Sequence, residues 1–185
     1  NAPTPPAREA ENVISIYSDA YATSGSHDYE YNPNQVGSVN TVYDPTGEGV
    51  NTVLEYVDIL YQGILLENSI DASAMEFVHI DVWTVDAPRV RYFINGYSPD
   101  INIETGQWSS VDIPISDFDQ DTFSSSLPIL YIDAREGLTE PSKIYVDNIY
   151  FWRNPNNPPV AVNDTFEVNQ NASEIGIDVI GNDTD

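Results

Sequence analysis

Lys143-Ile144-Tyr145-Val146-Asp147-Asn148-Ile149-Tyr150-Phe151-Trp152 is the stretch that decides the fold. β-Branched and aromatic residues dominate it with the period of a strand, and the turn-rich Asn154-Pro155-Asn156-Asn157-Pro158-Pro159 follows. One acid and one amide stand inside an otherwise apolar segment. A carboxylate there needs a partner, because an unpaired charge away from water is costly. The run therefore reads as the closing strand of an all-β domain, with a hard cation as the candidate partner of Asp147.

Working outward, other short segments alternate in the same way. They are Val13 to Tyr17, Val53 to Leu60, Phe77 to Thr84, Arg89 to Asn95, Val111 to Ile115 and Ile129 to Asp133. Val78, Ile80 and Val82 form one row of the Phe77 strand, and Phe77, His79, Asp81 and Trp83 form the other. Asp44-Pro45-Thr46-Gly47-Glu48-Gly49 is a turn, and Asp71 to Glu76 holds at most one helical turn. Strands at this spacing, with no amphipathic helix between them, predict an antiparallel two-sheet β-sandwich of the jelly-roll kind. Residues 1–9 read as a Pro-rich linker, 10–153 as the sandwich, 154–159 as a second linker and 160–185 as the opening of a further β repeat.

Thirty acidic against six basic residues give a net charge of −24. Such a field repels nucleic acid and anionic membranes, so neutral glycans, cations or basic surfaces are the expected partners. Solubility in salty water is an equally direct use of the charge. There is no cysteine, and the two histidines, His27 and His79, form no paired zinc motif. No apolar run is long enough to insert in a membrane. The low lysine content and calcium-suited acids favour an extracellular address.

Two constellations could carry chemistry. Asp81, Trp83, Arg91, Tyr131 and Asp133 are expected to share one sheet face, with Asp112 near by. Ring faces there would take the C–H face of a sugar while charged groups take its hydroxyls. Trp108, after Gly106-Gln107, reads first as a strand anchor and second as a further platform. Arg89, Arg91 and Arg135 either select an acidic sugar or neutralise Asp81, Asp112 and Asp133. The second constellation is Asp19 with Asp147, from opposite ends of the domain, which would hold a structural Ca²⁺ unless Asp19 caps a turn. Asp117-Phe118-Asp119-Gln120-Asp121 opens like an EF-hand loop but lacks its glycine and closing glutamate. Nothing announces catalysis: there is no nucleophile elbow and no phosphate-binding glycine loop.

The blocks Val13–Tyr21, Leu60–Gly63, Ile70–Thr84, Gly106–Phe118 and Tyr145–Phe151 resemble non-catalytic jelly-roll carbohydrate-binding modules of secreted, multimodular bacterial glycan-utilisation proteins. The resemblance spans about residues 10–153. It implies a polysaccharide ligand, for which a laminarin-type β-1,3-glucan is the leading expectation. It also implies structural calcium at Asp147, a platform role for Trp83, neighbouring modules in one secreted or cell-surface chain, and no enzymatic activity. Pro159–Val168 and Ile177–Asp185 are similar to the opening of bacterial cadherin-like, immunoglobulin-type repeats, with Asn163, Asp164, Asn182, Asp183 and Asp185 in the matching turns. The alternatives are a structural or adhesive stalk domain, a module for acidic algal polysaccharide, and a hydrolase or lyase.

Overall fold

The computed structural model describes residues 1–31, 37–45, 47–49, 51–59, 61–87, 89–93, 98, 100–118, 127–133 and 142–155. The chain divides into two units, Asn1–Asn154 and Pro155–Asp185. The cadherin-like stretch, Arg135 and most of the Asp117-to-Asp121 loop lie outside the described residues.

The first unit is an antiparallel two-sheet β-sandwich. Its strands are β1 (Val13–Tyr17), β2 (His27–Asp28), β3 (Ser38–Tyr43), β4 (Val53–Ile59), β5 (Tyr61–Ile70), β6 (Phe77–Thr84), β7 (Arg89–Phe93), β8 (Ile101–Asn102), β9 (Trp108–Pro114), β10 (Leu127–Asp133) and β11 (Ser142–Trp152). The first sheet runs β3-β4-β11-β6-β9, with β1 also paired to β11, and the second runs β2-β5-β10-β7-β8. The core row expected of β6, Val78, Ile80 and Val82, is fully buried, together with Ile16, Leu54, Ile64, Val90, Ile132, Ile144, Val146 and Ile149.

β11 is the spine of the first sheet. Its first half lies between β4 and β6, and its second half between β1 and β6. Asp147 pairs with Asp81 and Tyr150 with His79, so β11 carries one extra residue across that interval. The extra residue makes a bulge, at which Asn148 has φ 52°. Asparagine is among the few residues that accept that backbone region cheaply. The bulge changes the parity of the strand: Ile144 and Val146 face the core before it, Ile149 and Phe151 after it.

The N-terminal segment does not stand off as the tether that its prolines suggested. Ala2 is buried, Asn148 Nδ2 donates to the Pro3 carbonyl at 2.9 Å, and Tyr21 donates its hydroxyl to the Pro6 carbonyl. The Arg8 guanidinium lies 3.4 Å from the centroid of the Trp152 ring. These contacts seat residues 1–8 on the first sheet's outer face, where Tyr150 stacks on His79 at 4.6 Å and Trp152 on Phe77 at 4.3 Å.

Candidate functional site

The outer face of the first sheet carries a transverse row of aromatic side chains. Trp83 on β6 stands across from Trp108 on β9 and from Tyr145 on β11, and Tyr145 stands across from Glu55 on β4. Tyr145 meets Trp83 at a ring separation of 5.2 Å and stacks on Tyr43 at 5.1 Å. Gly106, at φ 83°, turns the chain into β9, and its N–H donates to the Thr84 carbonyl, which fixes Trp108 beside Trp83. Trp83, Trp108, Tyr145 and Tyr43, with Asn1, Pro45 and Val53, line a groove of about 210 Å³. At the Tyr145 end, Glu55 accepts hydrogen bonds from Lys143 Nζ and the Tyr145 hydroxyl, each at 3.2 Å.

Further along the same face His79 and Asp81 are enclosed. Asp81 is fully buried and accepts from Ser110 Oγ and, at 2.6 Å, from Asn148 Nδ2. His79 Nε2 lies 3.5 Å from Asp81, and His79 Nδ1 lies 2.8 Å from the Asp112 oxygen that also accepts from Trp152 Nε1 at 2.7 Å. Burial alone would lower the His79 pKa, but the hydrogen bonds to Asp112 and Asp81 outweigh it and hold the imidazole above its usual range. Burial opposes ionisation of Asp112, yet His79 and Trp152 bring its carboxyl below the usual value.

A second polar group lies where β11 bulges. Asp19, Asn51, Asp147 and Asn148 line a pocket of about 180 Å³ with Pro3, Thr4, Pro5 and Ala20. Asp147 is buried, and loss of water together with the neighbouring Asp19 and Asp81 carboxylates pushes its pKa up to about 7. Asn51 Oδ1 is buried with no hydrogen-bond partner. Asp19 accepts from the Thr52 N–H at 2.8 Å and the Thr52 hydroxyl at 3.3 Å, while Ser18, not Asp19, caps the following turn through the Ala20 N–H. Two carboxylates and an orphaned amide oxygen in one pocket are a donor set suited to a hard cation. Among the described residues no group of three or more acids, histidines or cysteines gathers around a common metal position.

The second sheet holds the remaining candidates. Asp133 on β10 pairs with Arg91 on β7 and Tyr61 on β5, and Tyr131 pairs with Phe93 and Gly63. Ile132, between the two, is in the core. Arg91 Nε and Arg89 both donate to Asp100, the latter at 3.0 Å, with their side chains about one-third exposed (31% and 35%).

The five residues expected on one face thus divide between two sheets. Trp83 and Asp81 belong to β6 in the first, and Arg91, Tyr131 and Asp133 to β7 and β10 in the second. Asp81 is corrected from a sugar-contacting to an internal residue, because no part of it reaches the surface. Arg89 and Arg91 both pair with Asp100. Trp108 serves both as an anchor and as a groove wall. Sequence reasoning missed Tyr145, Tyr43, Tyr61 and Asn51. Tyr145 was detectable, since it precedes Asp147 by one pleat repeat, whereas Tyr43 lies on a strand whose pattern had not been read.

No family model matches the chain, and no curated protein matches it. Among solved structures, the family 11 carbohydrate-binding module of the cellulosomal cellulase Lic26A-Cel5E of Clostridium thermocellum superposes with a TM-score of 0.52 at 17% identity, over 77% of this chain and 95% of that one. The chain has the β-sandwich fold of that module. An exo-beta-agarase structure is similar over 77% of this chain, at TM-score 0.51 and 15% identity, and the match takes in only 25% of the agarase. Family 29 carbohydrate-binding modules also match, at lower TM-scores of 0.47 to 0.48.

Proposed function

We propose that the first unit binds polysaccharide without catalysis, through the outer face of its second sheet. The observation that carries this reading is the coincidence of Arg91, Asp133 and Tyr61 on one rung and Tyr131 two rungs along. An extended sugar chain needs that mixture: aromatic residues to stack on its C–H faces, and charged groups whose paired hydrogen bonds take its hydroxyls. Asp100 supports the reading by pre-orienting Arg91 and Arg89, so that less conformational freedom is lost on binding. Similarity of fold to a carbohydrate-binding module is compatible with this function but does not carry it.

The ligand is a neutral glycan, and a β-1,3-glucan of the laminarin type is the first to test. The net charge of −24 disfavours acidic chains, and Arg89 and Arg91 already have a carboxylate partner in Asp100. The module belongs to a secreted or cell-surface protein and works beside other modules of the same chain.

Structural calcium completes the proposal. Asp19, Asp147 and Asn51 would hold the ion, which supplies the positive charge that two neighbouring carboxylates lack. It fastens the bulge of β11 to the residues after β1 and takes no part in ligand chemistry.

Affinity electrophoresis in gels containing laminarin, mixed-linkage β-glucan, alginate or sulfated galactan tests the binding reading. Retardation by a neutral glucan is expected, with at least a tenfold loss of affinity in Arg91→Ala and in Tyr131→Ala. Retardation by an acidic glycan alone would replace the neutral ligand, and mobility unchanged in every gel would favour a stalk role.

A further inference from the structure

The aromatic groove of the first sheet is not accounted for by a site on the second. Residues 1–8 and Tyr21 lie over the part of the face that contains Tyr150, Trp152 and Asn148, and Asn1 stands at the rim of the groove. Trp152 is buried beneath Arg8, whereas Trp83 and Trp108 both stay partly exposed. Indole and phenol faces left uncovered on a chain this acidic call for an occupant that is apolar on one side and polar on the other.

We infer that Trp83, Trp108, Tyr145 and Tyr43 form a second, independent binding site, which takes a single neutral pyranose residue on the sheet opposite the Arg91 face. The choice of a sugar rests on the polysaccharide reading above; the existence of a separate site rests on the groove. Its volume of about 210 Å³ gives a pyranose ring room to lie between the aromatic walls. The tilt of 58° between Trp83 and Tyr145 makes the site a cleft with two walls instead of one flat platform. The charge at its Tyr145 end is cancelled, because Glu55 is paired with Lys143. That end offers hydrogen-bonding capacity without net charge, which suits hydroxyls. With a site on each sheet, one module bridges two glycan chains or holds one chain at two points, so avidity exceeds either affinity.

Intrinsic fluorescence separates the two sites. Trp83 and Trp108 are two of three tryptophans and the third is buried, so a ring stacking in the groove changes the emission and a ligand on the Arg91 face does not. The full chain is titrated with laminarihexaose and with cellohexaose. A saturable emission change is expected in the wild type and in Arg91→Ala/Tyr131→Ala, whose gel retardation is reduced at least tenfold. Trp108→Ala, on the edge strand β9, and Trp83→Phe guard against misfolding; with thermal unfolding preserved, both should weaken the emission response at least fivefold and leave gel retardation in place. Retardation of the wild type without any emission change would overturn the second site, as would loss of both signals together in Arg91→Ala/Tyr131→Ala. Absence of both signals from the wild type would sink the polysaccharide reading and this one with it.

Discussion

Asn148 ties three parts of the first sheet's outer face together. Its backbone occupies the bulge, its Nδ2 donates to Asp81 and to the Pro3 carbonyl, and its Oδ1 accepts from Ser18 Oγ at 2.7 Å. Replacing it with alanine leaves a buried Asp81 oxygen without that donor and puts a Cβ-bearing residue with no local hydrogen bonding at positive φ. Asn148→Ala is expected to lower stability by about 2–4 kcal/mol in urea unfolding. Asn148→Gly should recover only the backbone part, roughly 1 kcal/mol. Equal losses in the two variants would show that the side-chain bonds carry the whole effect and the backbone none.

At the scale of elements, the seated N-terminal segment is held by a few local contacts, and Arg8 on Trp152 is the most separable of them. Arg8→Ala is expected to cost about 1 kcal/mol in the same assay; a change within a few tenths would mean that the guanidinium rests on the ring without fastening it. The strands themselves were largely legible. β1 and β6 match their predicted bounds, β9, β10 and β11 differ only at their ends, and β7 matches over the described residues, because strict alternation against a single core leaves little freedom of register. β5 was missed: Gly63 and the run Ile64-Leu65-Leu66 carry no period of two. β3 escaped for a different reason, since its side chains alternate only between half-buried and exposed at the edge of the sheet. The site was harder to read than the strands. Period two tells which residues share a face of one strand, but assigning β6 and β7 to different sheets requires the crossover, which no local pattern encodes. The loop prolines misled in the same way, because Pro3 and Pro6 use carbonyls, not N–H groups, to dock.

For the whole molecule, buried charge sets the response to solution conditions. The imidazole of His79 is held above 6.5 and the carboxyl of Asp112 below 3.8, so their pairing contributes fully between those values. It is lost as pH rises through the folded-state value of His79, and lost again as pH falls through that of Asp112. Asp147, with its own value of about 7, titrates in the same range, so His79→Gln should flatten the alkaline side of a plot of melting temperature against pH when made in an Asp147→Asn background; a slope surviving in that double variant would place the titrating group elsewhere. Calcium should act on the same plot near neutral pH, raising the melting temperature by several degrees and losing this effect on chelation. Asp147→Asn removes the charge that needs the ion, so its metal-free form should be at least as stable as the metal-free wild type and show no calcium response. A calcium shift undiminished in Asp147→Asn would move the ion away from the β11 bulge.

Val13 pairs with Trp152, and the Arg153 N–H donates to the Asn12 carbonyl at 3.1 Å, so the chain enters β1 and leaves β11 at the same end of one ladder. Tension applied across residues 12 and 153 would open that ladder one rung at a time, like a zip, and not shear all its rungs at once. Under load β1 would peel away first at modest force, while the second sheet and the Arg91 face stay intact behind it.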